Sequence, residues 1–422
     1  MTVSANINAF GTARRRAEPR KPPLSLIAAA TGIGFAALHM LVPALPVLAR
    51  DFDRGAAQVQ LVLTLYFLGI AGGQLIYGPV SDRFGRRPVL IAGLGLFLGG
   101  TTLCGMAPSL PALIAGRVVQ AIGACAGIVL GRAIIRDVYG RDASARGIAI
   151  VMMVMTIGSA GSPALGALIT EWFAWRWIFG FLAVAGAGVL VWTIIRLDET
   201  RSEPLPLNPL EIGRTYGVLL RSCAFMGFTL CTAFTSASWF TFIASAPSLM
   251  SETLHEPPST YGLMIIMPML AYMVGNAAAA RFARSLGSNA MIVLGVALSL
   301  ASGMLMAAWC GYPGLSTWAL FIPMALSSIG NGLSQPSAMA AALSVYPRVA
   351  GTASGFVGFL QMAISALGTL AVAVLPHEGA SAMVGVVVIT QITACVLGVV
   401  AVRLLARADP GMRLALPVAT KD

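Results

Sequence analysis

Two ionisable side chains, His39 and Arg117, lie deep inside long apolar stretches of this 422-residue chain. None of its 16 acidic residues lies in the middle of such a stretch. A charge at membrane depth costs about 2.5–3.5 kcal/mol on insertion scales, so such residues are functional candidates by default. Histidine titrates near neutral pH, so His39 could carry a proton. The alternative is a neutral core histidine bonded to a neighbouring helix. A guanidinium stays charged at any relevant pH, so Arg117 needs a partner or a wet cavity. Backbone carbonyls or Gln120 could serve as a purely structural partner.

A second concentration of chemistry is Gly78-Pro79-Val80-Ser81-Asp82-Arg83-Phe84-Gly85-Arg86-Arg87-Pro88. Gly78 and Gly85 suit a close approach and a tight turn. Pro88 suits the first turn of a following helix. Asp82 is the informative residue, an acid among arginines. Its carboxylate can pair with them or face a helix N-terminus, contacts that would hold one conformation and break in another.

The elements that must position these groups are membrane helices. The chain is 57% hydrophobic and 10% charged, against roughly 25% charged in soluble domains. A span needs about 20 apolar residues. Spans are expected at about 24–47, 58–79, 87–107, 110–131, 145–169, 177–197, 222–245, 261–281, 288–309, 316–341, 350–375 and 381–405. Continuous apolar runs exclude a barrel, whose strands alternate. The formal net charge of +11 does not signal nucleic acid. With the N-terminus cytoplasmic, all of the 27 basic residues except Arg50, Arg54, Arg117 and Arg176 fall on that side. That is the positive-inside pattern, and it puts both termini in the cytoplasm. The first span is too long for a cleaved signal peptide. The six cysteines mostly sit in apolar runs without CxxC spacing, so no disulfide framework, metal site or cofactor is expected.

A stretch from Asp198 to about Leu220, rich in proline and acid, divides the spans six and six. The organisation read is a basic tail (1–23), a bundle (24–197), a linker (198–220), a second bundle (221–406) and a tail (407–422). The halves look duplicated. Arg83-Phe84-Gly85-Arg86 pairs with Arg281-Phe282-Ala283-Arg284, Pro43 and Pro46 with Pro247, and Val138-Tyr139 with Val345-Tyr346. Internal repeats in a membrane chain point to a transporter with its cargo near the midplane, between the repeats.

These motifs resemble the Major Facilitator Superfamily. Gly73-Gln74-Leu75-Ile76-Tyr77-Gly78-Pro79, continuing through Ser81-Asp82-Arg83, is similar to its drug/proton antiporter branch, the Bcr/CflA family. Arg117 through Ala124, Arg132-Ala133-Ile134-Ile135-Arg136-Asp137, Trp175 through Phe179, Leu197 through Thr200 and Ala350 through Ser354 carry the resemblance along most of the chain. It implies an all-α fold of twelve helices in two pseudo-symmetric six-helix bundles. It also implies a monomeric, multi-pass protein of the bacterial inner membrane, not an enzyme. Its implied work is export of small organic molecules, drugs among them, driven by the proton gradient. In the family, the arginine at position 117 is implicated in proton coupling. Asp82, Arg83, Arg86, Arg87 and Asp137 become a gate latch, with Gly78 and Gly85. Gly158, Gly161, Pro163 and Gly166 resemble the antiporter motif of the fifth helix, with Ser162 and Ala167 replacing two glycines; helix packing explains them about as well.

One departure stands out. The family usually carries an aspartate in the first span, where this chain reads His39-Met40-Leu41-Val42-Pro43. His39 could take its proton but offers no fixed negative charge. Beside Arg117 it makes the cavity neutral to positive, which suits neutral or anionic cargo. Cavity candidates are Met40, Tyr66, Trp239, Asn331, Gln335 and Gln361, because amides need partners in lipid and methionine and aromatics suit adaptable pockets. Trp172, Trp175 and Trp177 read as an interfacial belt. A metabolite or siderophore carrier, coupled to protons or not, is the main alternative reading. A membrane enzyme or receptor is remote: no HExxH and no nucleophile–base pair occurs in the spans.

Overall fold

The computed structural model describes residues 21–200, 209–311, 315–346, 349–375 and 380–407. The expected basic tails (residues 1–20 and 408–422) and the centre of the linker (201–208) lie outside the described residues, as do the side chains of Arg141, Arg146, Met152 and Arg284. The described residues form helices and no strands. The first span is α1 (Leu24–Leu41), a 3₁₀ turn (Val42–Ala44) and α2 (Leu45–Asp51). Pro43 and Pro46 remove amide donors there, which breaks the helix without ending the span. Next come α3 (Ala56–Phe84), α4 (Arg86–Gly105), α5 (Leu110–Trp172) and α6 (Arg176–Arg196). The second half is α8 (Cys223–Glu252), α9 (Pro258–Met264), α10 (Ile266–Leu286), α11 (Ser288–Gly311), α12 (Thr317–Val345), α13 (Ala350–Val374) and α14 (Ser381–Arg407).

Eleven helical segments among the described residues are long and apolar enough to cross a bilayer. The twelfth expected span, α12, is long enough at 29 residues but too polar to join them. Its Ser327, Ser328, Asn331 and Ser334 are buried. They are covered by protein rather than by lipid.

Helix α5 corrects one expectation. A non-helical loop was expected after Tyr139, yet helical residues run unbroken from Leu110 to Trp172. A straight helix would place Gly166 about 74 Å from Arg117. Instead Arg117 donates to the Ala37 carbonyl, and Gly166 abuts the backbone of Met40. The chain therefore reverses within its helical run. Gly147 lies against Ile135, so the reversal falls between them. The close approach also explains Gly166: a Cβ there would collide with the Met40 carbonyl. Gly166→Val should cost about 1–3 kcal/mol through overpacking against backbone. The thermal midpoint in detergent should fall accordingly; an unchanged midpoint would show that the contact yields.

The linker holds a helix that its proline content concealed. Helix α7 (Pro209–Arg221) is amphipathic and packs on α8 and α13. Its Tyr216 ring stacks near Phe356 of α13, 5.5 Å between centroids. Its hydroxyl donates to the Leu75 carbonyl of α3 at 3.5 Å. The linker thus touches both halves.

The repeat is visible in the backbone, one turn away from the register expected. Gly85, with φ 95°, alone joins α3 to α4; Gly287, with φ 83°, alone joins α10 to α11. Gly85 therefore corresponds to Gly287, not Ala283. Cys104 donates to the Leu113 carbonyl and Cys310 to Ala319, the same nine-residue step in each half. The halves meet along α3 and α13 and where α5 packs on α9 and α10. Large apolar side chains cover the outside; Val184 and Val374 are 77% and 78% exposed, as a lipid-facing surface allows.

Candidate functional site

Between the halves lies a cavity of about 350 Å³. From the first half α1 contributes Thr31, Phe35 and His39, α3 contributes Gln74, and α5 contributes Ile128, Arg132, Met155 and Ser159. From the second half come Ser236, Trp239, Phe240, Met269, Tyr272, Asn331, Gln335, Gln361 and Met362, among others. The volume is that of a drug-sized ligand site. Among the described residues no acid lines it; its ionisable groups are His39, Arg132 and the Tyr272 phenol.

Several of its polar groups are held by local hydrogen bonds. His39 Nδ1 is 2.8 Å from the Phe35 carbonyl, one turn back, so that nitrogen is the protonated one when the ring is neutral. Gln335 donates to Ser236 at 3.0 Å and accepts from the Tyr272 hydroxyl at 3.2 Å. Asn331 accepts from Ser299 at 2.9 Å. The expected cavity residues Trp239, Asn331, Gln335 and Gln361 all line the space.

Four others do not. Met40 and Tyr66 are 1% and 0% exposed and lie outside the cavity wall. Arg117 and Gln120, expected together as coupling and cavity residues, are also 0% exposed and enclosed within the first half. Arg117 donates to the Ala37 carbonyl and to Gln120 Oε1, and Gln120 in turn donates to Thr101. The Tyr66 ring lies 3.9 Å from the guanidinium carbon, a cation–π contact that supplies the partner a buried cation requires. The tyrosine hydroxyl is anchored on the Gly34 carbonyl. The guanidinium that lines the cavity is therefore that of Arg132. Sequence reasoning ended the fourth span one residue before it and took it for a cytoplasmic-side residue.

At one end of the bundle the loop motif forms an ion cluster. Arg86, only 5% exposed, reaches Asp82 at 2.6 Å, Asp137 at 3.0 Å and the Ser81 hydroxyl. It ties α3, α4 and α5 together. Arg87 donates to the Ile194 carbonyl of α6. Arg83 is exposed and lies over the Phe84 ring, outside the cluster. Gly78 sits within α3 with nothing close by, so the expected close approach is made at Gly85 alone. There the Glu199 carboxylate packs on the glycine and accepts from the amides of Arg86 and Arg87 at 2.9 and 3.2 Å. Glu199 thus caps the first turn of α4, whose amides have no helical partner. From the sequence, Glu199 reads as part of the linker and of the Leu197–Thr200 motif at the end of the sixth span, not as a cap.

The fifth-helix motif divides. Gly166 packs on Met40, and Pro163 and Ala164 pack on Gly262 of α9. Gly158 has nothing near it, though its carbonyl accepts from Ser162. The proposed tryptophan belt also divides: Trp172 and Trp177 are exposed, but Trp175 is buried and donates to Asp51 at 2.7 Å.

Contacts cross between the halves on both sides of the cavity. Near the ion cluster Arg132 donates to Ser354 at 3.3 Å, and Gln74 packs on Gly355 and Gly358. Toward the other end Thr64 and Thr369 share a hydrogen bond of 2.8 Å, Gln60 donates to Ser245, and Arg50 donates to Ser251.

Residues 24–369 and 228–419 match the family described as Major Facilitator Superfamily. The chain belongs to that superfamily. Multidrug resistance protein D of Escherichia coli (strain K12) is 30% identical over 358 residues, 84% of this chain and 89% of that protein. The chloramphenicol resistance protein of Pseudomonas aeruginosa is 30% identical over 350 residues, 81% of this chain and 82% of that one. A bicyclomycin resistance protein homolog of Haemophilus influenzae is 27% identical, covering 82% and 87% of the two chains. These relatives bear out the resemblance to the Bcr/CflA branch. A bacterial homolog of the human lysosomal transporter Spinster, inward-facing and unoccupied, superposes with TM-score 0.70 at 16% identity, covering 92% of this chain and 98% of that one. The human organic anion transporter MFSD10 gives TM-score 0.69 at 18% identity, covering 90% and 98%. At those identities the likeness establishes that this superfamily member has their fold.

Proposed function

We propose that this protein is a secondary active exporter of small organic molecules, drugs among them, that exchanges cargo for protons by alternating access. The observation that carries the reading is the cavity between the two halves, bridged by contacts on both sides. A carrier of this kind holds cargo at the interface of its repeats and opens one side at a time. The names of the relatives, which concern resistance to chloramphenicol and bicyclomycin, support drugs as cargo and export as the direction. The positive-inside rule supports a bacterial inner-membrane setting with the ion cluster and both termini on the cytoplasmic side. The bundles would be residues 24–197 and 221–406, acting as a monomer. The proton gradient would be the energy source, with no cofactor.

His39 is the proposed proton carrier. It replaces the family's first-span acid and it lines the cavity, where Arg132 and the Tyr272 phenol hold their protons at neutral pH. Arg117 acts on coupling indirectly, by holding the carbonyl of Ala37 and the ring of Tyr66 beneath the same helix.

The alternating-access part has a direct test. Cysteines replacing Thr64 and Thr369, whose hydroxyls are 2.8 Å apart, are close enough for a disulfide. In a background without the exposed Cys223, oxidation should stop efflux and reduction should restore it. Undiminished efflux by the fully cross-linked protein would show that this side of the interface need not open.

A further inference from the structure

We infer that Arg132 is an anion-recognition residue, and that the cavity selects amphiphilic organic anions: a carboxylate or sulfonate on an aromatic or apolar body. The inference rests on the export reading and goes beyond it by naming the class of cargo.

Three observations carry it. First, the cavity wall is charged on one side only. Arg132 lines it and no carboxylate does. Among the described residues the Arg132 side chain makes a single hydrogen bond, to the neutral Ser354 hydroxyl at 3.3 Å. A guanidinium carries five N–H donors in a planar fork matched to a carboxylate or sulfonate. Most of that capacity is unspent.

Second, the amides of the wall bring no competing charge. Gln74 lines it but is 6% exposed, with its amide packed against Gly358. Gln335 bonds Ser236 and Tyr272, and Asn331 bonds Ser299. These neutral contacts leave the Arg132 guanidinium as the group that can meet an ionised head.

Third, the rest of the wall is a body-binding surface. Phe35, Trp239 and Phe240 contribute aromatic rings, and Met155, Met269 and Met362 contribute adaptable sulfur chains. An ionised head with a flat apolar body matches both parts. A cation would meet Arg132 with no opposing acid.

The geometry also gives the anion a consequence. Ser354 belongs to α13, across the interface from Arg132 on α5. Cargo that takes the guanidinium competes with a bond between the halves.

The test uses one scaffold in three charge states: dansyl-phenylalanine as the carboxylate, its neutral methyl ester, and the cationic analogue in which an aminomethyl group replaces the carboxyl group. Equilibrium binding to the full-length protein in detergent and uptake by energised inverted vesicles would both be read, for wild type, Arg132→Gln and Arg132→Lys. The wild type should bind the carboxylate about tenfold or more tightly than the ester, the range expected for a charge-assisted pair. Arg132→Gln should bring that ratio close to one, and Arg132→Lys should keep part of it. Equal wild-type affinity for carboxylate and ester, or tighter binding of the amine, would overturn the inference even if Arg132→Gln failed to fold. So would an Arg132→Gln protein that binds all probes more weakly but keeps the ratio. Anion-selective binding without uptake would uphold the inference and count against export. Uptake without charge selectivity would do the reverse.

Discussion

Asp82→Ala is expected to reduce efflux by at least tenfold while the protein still reaches the membrane. Asp82 pairs with Arg86 at 2.6 Å, and Arg86 is 5% exposed. Losing one partner of a buried cation costs about 3–5 kcal/mol when nothing replaces it. Asp137 at 3.0 Å still compensates Arg86, and the Asp82 side chain is 36% exposed, so the cost to folding is well below that range. The cost to transport is larger, because the cluster sets how α3, α4 and α5 sit at one end of the interface. A change of about 1.4 kcal/mol in the balance between two conformations shifts it tenfold. Insertion depends on the apolar spans, which the substitution leaves alone. Vesicle uptake normalised to the protein found in the membrane fraction checks this. Full uptake by Asp82→Ala would remove the gate role from the cluster.

Arg117→Ala should be worse, because it damages both fold and transport. Arg117 fills the centre of the first half at 0% exposure. Its loss leaves Gln120 Oε1 and the Ala37 carbonyl without this donor and opens a void under the Tyr66 ring. Hydrogen bonds to a charged group are each worth about 1.5–3 kcal/mol, and the void adds to the loss. A fall of about 3 kcal/mol or more in stability is expected, with transport abolished. Arg117→Lys should rescue only part, since an ammonium can replace the single nitrogen that reaches both acceptors but not the planar face that lies over the Tyr66 ring. A wild-type thermal midpoint for Arg117→Ala would contradict the packing; a low midpoint with normal transport would confine Arg117 to stability.

The parts of this account that were legible in the sequence are those set by local chemistry. Length and apolarity gave the spans. Gly85 marked the single-residue turn because only glycine adopts its φ freely. Asp82 and Arg86 lie one helical turn apart, so their pairing could be read directly. What escaped depends on residues distant in sequence. Glu199 caps α4 from 113 residues away, and Tyr66 reaches Arg117 from a different helix. Arg132 was missed for another reason. A hydropathy run ends where charge begins, but α5 continues past it, and a charge just beyond the run can face a cavity instead of the interface. The available signal was Arg132 and Arg136, four residues apart and so on one helix face. Trp175 was assigned to a belt because its neighbours belong there, although its indole bonds Asp51 of α2.

The export account rests most heavily on His39 as the group that exchanges protons. The direct measurement is drug uptake by energised inverted vesicles between about pH 5.5 and 8.5, for wild type and His39→Ala, each with and without an uncoupler. Equal amounts of folded protein in the membrane would be confirmed beforehand. The account predicts gradient-driven accumulation in the wild type, with a rate that depends on pH. It predicts that His39→Ala loses both the accumulation and that pH dependence. Gradient-driven accumulation by His39→Ala, with the wild-type pH profile, would contradict it.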